Sequence, residues 1–85
     1  MRVTIVWDLD DDEAGNVRHI QEHGIDKDDV AHVLDHPAGF DTSNSSGLPM
    51  AFGFTADDRY IVVIYEQIDR EHVYPVSAFE VPEPS

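Results

Sequence analysis

The sequence predicts an α+β fold in which two N-terminal helices pack on one face of a mainly antiparallel sheet of four or five strands, in the order β-α-α-β-β-β-β. Apolar residues recur at helical spacing in the first part of the chain, whereas the second part consists of β-branched and aromatic runs divided by polar turns. The chain has 85 residues, which is enough for one hydrophobic core. We therefore expect a single domain over residues 1–81 and a short tail over residues 82–85.

The chain is predicted to begin with a strand and a helix. Val3–Trp7 is rich in β-branched and aromatic residues, which favour a strand. Residues 8–13 include five acids and should form a solvated turn, since acidic groups near the start of a helix complement its exposed amides. The first helix is expected over Ala14–His23, with Val17 and Ile20 facing inward.

A glycine and an aspartate separate this helix from the second one. Gly24 suits the left-handed conformation that commonly ends a helix. Asp26 is the expected N-cap of the second helix, and Asp29 stands three residues on, as in a capping box. The core-facing stripe of this helix has the spacing i, i+3, i+4 and comprises Val30, Val33 and Leu34. Pro37 ends the helix because proline cannot continue the hydrogen-bond ladder.

Four further strands are predicted in the second half, over Phe40–Thr42, Met50–Thr55, Arg59–Gln67 and His72–Phe79. The third of these is a nearly continuous apolar run, which is typical of a strand at the centre of a sheet that is covered on at least one face. Pro75 removes a donor from the last strand and predicts a sheet edge or a bulge there.

The charge balance restricts the classes of partner. Eighteen Asp and Glu face five Lys and Arg, a net charge of −13 with neutral histidines. Because affinity for nucleic acids depends largely on Lys and Arg, we expect RNA binding to be weak or absent. The same field would attract a basic partner protein, although a general requirement for solubility would produce the same composition.

The composition also bears on location and cofactors. The chain has no cysteine, so it has no disulfide, thiolate metal site or cysteine nucleophile. No apolar run approaches the roughly 20 residues of a membrane span, and the N-terminus does not resemble a signal peptide. We expect a cytoplasmic protein that does not contact a membrane and needs no cofactor.

Two pairs of histidines are the most distinctive polar feature, His19 with His23 and His32 with His36. Each pair is four residues apart and should share one face of its helix. A zinc site needs three or four ligands, and the pattern around His19 does not match H-E-x-x-H, so no metal site is predicted. Surface histidines are the default interpretation, but His19 and His23 are also candidates for general acid or base.

Other familiar sites are not supported. The acidic run from Asp8 begins like a calcium loop but has Glu13 where glycine is needed and His19 where a bidentate glutamate is needed. The serines of residues 43–46 lie in a polar loop without the surroundings of a nucleophile.

Two groups of residues form a pattern that runs along most of the chain. The front motif comprises Trp7-Asp8, Asn16, His19-Ile20, His23-Gly24-Ile25, Val30, Val33-Leu34 and Pro37. The later part comprises Gly53, Asp58-Arg59, Val62 to Tyr65 and Ser77-Ala78. In this pattern the chain resembles the BrnT-type toxins, small ribonucleases of bacterial toxin–antitoxin pairs with a RelE-like fold.

The resemblance implies a set of catalytic candidates, and it also shows that several basic residues of the family pattern are replaced in this chain. It indicates His19 and His23 as acid or base, Arg18 and Arg59 as phosphate-binding groups, and Glu66 as a nearby acid. Basic residues of the family pattern are replaced at Leu48-Pro49-Met50, at Gln67-Ile68-Asp69, at Tyr74 and at Phe79. Since each lost charge partner typically reduces the rate by orders of magnitude, weak or lost cleavage is expected.

Three hypotheses remain open at this stage. The first is a divergent BrnT-like domain that no longer cuts RNA well and acts through protein contacts, with a basic antitoxin-like protein as partner. The second is an active endoribonuclease toxin that uses histidine as general acid and base. The third is an acidic binding module or metal-responsive protein without a catalytic past.

Overall fold

Two helices and a five-stranded sheet make up the fold, which a computed structural model describes over residues 3–84. The predicted domain start at Met1 and Arg2, and Ser85 at the end of the predicted tail, lie outside the described residues. The elements in chain order are β1 (Thr4–Ile5), α1 (Asn16–Glu22), α2 (Lys27–Asp35), β2 (Gly39–Thr42), β3 (Pro49–Phe54), β4 (Tyr60–Gln67) and β5 (His72–Glu80).

The sheet has the strand order β1-β5-β4-β3-β2, so the apolar strand β4 lies at its centre, as predicted. The pairs β2–β3, β3–β4 and β4–β5 are antiparallel, but β1 runs parallel to β5. The α+β class is therefore confirmed, while the sheet is mixed. The three antiparallel pairs join consecutive strands, whereas β1 and β5 are separated by nearly the whole chain and no hairpin determines their relative direction.

The first strand is shorter than the predicted Val3–Trp7 because a side chain draws the chain out of the sheet. The amide of Val6 still donates to the carbonyl of Val73 at 2.8 Å. The carbonyl of Val6, however, accepts from the Asn16 side chain at 3.1 Å. Trp7 then packs against the hydrophobic core, in agreement with its interpretation as a core aromatic.

The signals at the ends of the helices are largely confirmed. Gly24 has φ +76° and ends the first helical segment. Asp26 and Asp29 form a capping box, each side chain accepting from the backbone amide of the other, at 2.8 and 3.1 Å. The helix α1 starts later than the predicted Ala14, and its first amide, that of Asn16, donates to the Asp8 carboxylate at 2.9 Å.

A bulge interrupts β5 at the position that Pro75 indicated. Tyr65 pairs with Pro75 and Ile64 pairs with Ser77, which leaves Val76 without a partner. A bulge inserts one extra residue and shifts the alternation of side chains between the two faces. Val73 and Pro75 therefore point to the core before the bulge, and Ala78 does so after it.

The core lies between the two helices and one face of the sheet. Its buried members are Ile20, Ile25, Val30, Val33, Leu34, Ala51, Ile61, Val63, Tyr65, Val73 and Ala78. The stripe predicted on the second helix belongs to this set. In residues 3–84 neither helix has the length and apolar character needed to cross a membrane.

Candidate functional site

The helices cover one face of the sheet, and the side chains of the opposite face form rows across the strands. Residues directly opposite each other on neighbouring strands point to the same side of a sheet. Because Ala51, Val63 and Ala78 point to the core, the neighbouring positions in each strand point away from it. We call the following eight side chains the open sheet face: Met50, Phe52, Phe54, Tyr60, Val62, Ile64, Ser77 and Phe79.

Three of the four aromatic rings of the open sheet face lie next to one another. The rings of Phe52 and Tyr60 are stacked with centroids 6.2 Å apart, and those of Phe54 and Tyr60 are 4.9 Å apart. Val62 lies between Phe52 and Phe79 in its row and is almost completely shielded from solvent. Phe54, by contrast, is 40% exposed. The surface is thus apolar, with Tyr60 and Val62 buried and Phe54 the most exposed of its aromatic rings.

The predicted histidine pair of the first helix lies at one margin of this face. Helix α1 runs beside β5, so that Nε2 of His19 is 3.2 Å from Oγ of Ser77. The ring of His23 packs on Phe79 with a centroid distance of 5.8 Å, and the two imidazoles are 5.4 Å apart in an edge-to-face arrangement. Both histidines are exposed. Two imidazoles and a hydroxyl therefore come together where the open sheet face meets α1.

Arg59, a candidate for binding phosphate, is directed to the helix side of the molecule. Its guanidinium donates to Asp29 at 2.8 Å, to Asp57 at 3.0 Å and to the carbonyl of Gly24 at 2.9 Å. These hydrogen bonds raise the pKa of Arg59, the bond to Asp57 contributing most, and they keep the arginine engaged with two carboxylates. Arg59 therefore does not join the two histidines on the open sheet face.

The other two candidates occupy different places. Arg18 is exposed on α1, and its Nε donates to the carbonyl of Asp10 at 3.0 Å. Glu66 is exposed near the end of β4 and pairs with Tyr74, on the same side of the sheet as Ile64. Glu66 therefore shares the side of the sheet on which the histidines lie, but it contributes a negative charge there.

A hydrogen-bonded cluster that the sequence did not predict links the start of α1 to the strands. The hydroxyl of Tyr74 donates to Asp8 at 2.5 Å, and the Asn16 side chain donates to the carbonyls of Val6 and Pro75 at 3.1 and 3.0 Å. The bond to Asp8, together with burial, raises the pKa of Tyr74 to about 12. The same bond, with that from the Asn16 amide, lowers the pKa of Asp8. Asp8 and Asn16 belong to the front motif, but nothing in the sequence connected Asp8 to a tyrosine 66 positions away.

A shallow depression of about 280 Å³ lies between the first helix and β5, beside this cluster. It is lined by Ala14, Gly15, Asn16, His19, Tyr74 and Val76. Its lining places an imidazole near a phenol whose hydroxyl is engaged with a carboxylate, and it includes no lysine or arginine. An anionic substrate would find no fixed positive charge in it.

The second histidine pair lies elsewhere, on α2. The rings of His32 and His36 are 4.9 Å apart, and Nδ1 of His36 is 3.3 Å from the carbonyl of His32. Across residues 3–84, no group of three or more potential ligands is close enough to hold a metal ion. The four helical histidines therefore form two separate pairs.

Comparisons with protein-family models, curated proteins and solved structures give no match to this chain.

Proposed function

We propose that this protein is a divergent BrnT-like domain with lost or weak ribonuclease activity that acts through contacts with another protein. The observation that carries the proposal is the composition of the open sheet face. The two candidate histidines lie at its margin, none of its eight side chains is a lysine or an arginine, and its centre is apolar and aromatic. Such a surface suits a protein partner better than a chain of phosphates.

The state of the cations supports the same proposal. Arg59 is bound to two carboxylates, and Lys27 is paired with Asp10 at 2.6 Å. In ribonucleases, positive groups stabilise the charge that develops on the phosphate in the transition state. Here the histidines lack such a neighbour in their contacts, and the chain as a whole has a net charge of −13.

An active endoribonuclease is the second candidate, and the geometry of His19 favours it. Its ring is exposed, lies 5.4 Å from His23 and is within hydrogen-bond distance of Ser77. Two adjacent imidazoles are able to act as general base and general acid on the 2′-hydroxyl and the leaving oxygen of RNA. The partner in either case would be a basic antitoxin-like protein.

Cleavage of a structured RNA by the purified protein tests the proposal. We expect no cleavage by the wild type over a wide range of protein concentration, because the described contacts of His19 and His23 include no Lys or Arg to stabilise the pentacovalent phosphate. The double variant His19→Ala/His23→Ala is compared with His32→Ala/His36→Ala, which removes a pair of the same spacing from α2. Cleavage that only the first variant abolishes would contradict the proposal and establish an acidic ribonuclease that uses His19 and His23.

A further inference from the structure

We infer that the open sheet face binds a basic amphipathic helix of a partner protein, with the apolar side of that helix on Phe54, which is exposed, and on the partly exposed Phe52 and Phe79. This inference rests on the proposed function and specifies the place and the chemistry of the contact. It is carried by three properties of the face: its aromatic centre, its acidic border positions and its width.

Two positions at the border of the open sheet face are acidic, whereas His19 and His23 lie at the margin beside β5. Asp41 of β2 lies opposite Met50 and therefore points to the same side of the sheet as the open sheet face. Glu66 lies two positions beyond Ile64 in β4 and points to that side as well. Both carboxylates are exposed. An apolar centre with carboxylates at the border is complementary to a helix that has an apolar stripe flanked by Lys or Arg.

The width of the face matches one helix. It extends over β3, β4 and β5, and since strands are spaced about 4.8 Å apart, the outer two are separated by roughly 10 Å. An α-helix with its side chains has a diameter of about 10–12 Å. A single helix is therefore wide enough to span the three aromatic-bearing strands.

The overall charge argues against two other occupants. A second copy of this chain would bring another net charge of −13 to a face with acidic border positions, which like-charge repulsion opposes. RNA would meet the same repulsion through its phosphates. A basic segment instead gains attraction from the whole field of the protein.

The test uses the full chain labelled with 15N and a synthetic peptide of Leu and Lys, about 18 residues or five turns long, with the leucines on one helical face. A peptide of the same composition, scrambled so that it has no apolar stripe, serves as control. We expect amide shifts concentrated on β3, β4 and β5 with the first peptide, and at least about tenfold weaker binding with the second, because the aromatic contacts are lost.

Two matched pairs of variants locate the contact. Phe54→Ser should weaken binding by about tenfold, whereas Phe40→Ser, on the helix side of β2 and 59% exposed, should not change it. Asp41→Lys/Glu66→Lys should weaken binding several-fold more than Asp11→Lys/Asp35→Lys, which changes the net charge equally at two exposed positions that do not belong to the sheet. All these side chains are exposed, so the amide spectrum is expected to show an unchanged fold.

Several results would overturn the inference. These are equal binding of the scrambled peptide, shifts centred on the acidic turn of residues 8–13, displacement of the peptide by a short RNA, or a dimer that Phe54→Ser dissociates. The cleavage assay is independent of these measurements. Cleaved RNA would refute the proposed loss of activity even if the peptide maps to the face, and peptide binding elsewhere without cleavage would refute only the present inference.

Discussion

Replacing Asn16 with alanine should destabilise this protein more than almost any other single polar substitution. The Asn16 side chain accepts from the amide of Asp8 at 2.9 Å and donates to the carbonyls of Val6 and Pro75. Asn16 is only 3% exposed, so water does not replace these partners in the folded state. At about 1 kcal/mol for each of the three hydrogen bonds, the expected loss in the free energy of unfolding is about 3 kcal/mol.

This loss is large relative to the free energy of unfolding expected for the whole domain. A domain of this length is typically stable by about 4–13 kcal/mol, so Asn16→Ala would remove a substantial fraction of the total. Asn16→Asp should be at least as harmful, since a carboxylate keeps the acceptor but loses both donors and lies beside Asp8.

Urea unfolding followed by the fluorescence of Trp7, the one tryptophan of the sequence, measures the effect. The control is Asn44→Ala, which removes the same side chain from an exposed loop and should change the free energy of unfolding by less than about 0.5 kcal/mol. A loss below about 1 kcal/mol for Asn16→Ala would refute the reasoning that Asn16 joins the end of β1, the start of α1 and strand β5.

Two further predictions concern the charged groups. Arg59→Gln should lower the free energy of unfolding by about 1 kcal/mol in urea titrations, because it removes the partner of Asp29 and Asp57 while the guanidinium is partly exposed. Tyr74→Phe should flatten the dependence of Tm on pH at both extremes. Tyr74 has its pKa raised from 10.0 to about 12, so its contribution to stability is complete below pH 10 and is lost as the pH rises through about 12. Asp8 has its pKa lowered from 3.8, so its contribution is present above that pH and is lost on further acidification.

The controls for these two substitutions come from the same chain. Arg70→Gln removes an exposed arginine from the β4–β5 turn and should leave the urea midpoint nearly unchanged. Tyr65→Phe removes a hydroxyl whose pKa is raised by burial alone, without a carboxylate partner, and should keep the acidic limb of the Tm profile. An acidic limb that Tyr74→Phe leaves intact would contradict the assignment of the Tyr74–Asp8 bond.

Local chemistry explains why much of the fold was predictable. Gly24 with a positive φ, the Asp26–Asp29 capping box and the apolar run of β4 each depend on a few neighbouring residues, and each is found where the sequence placed it. The bulge beside Pro75 follows equally from a local property, the missing amide hydrogen. The parallel pairing of β1 could not be predicted in this way, since its partner lies at the other end of the chain.

The same distinction between local and long-range contacts applies to the candidate site. By itself, the sequence determined that His19 and His23 share a helix face, and that acids greatly outnumber Lys and Arg, because spacing and charge are properties of the chain alone. Only the tertiary structure decided that these histidines meet Ser77 and Phe79 at the margin of an aromatic sheet face, and that Arg59 is bound to carboxylates on the helix side. The reason is that these contacts, apart from the local Asp57–Arg59 pair, join residues 30 or more positions apart, and their existence depends on how the helices pack against β4 and β5.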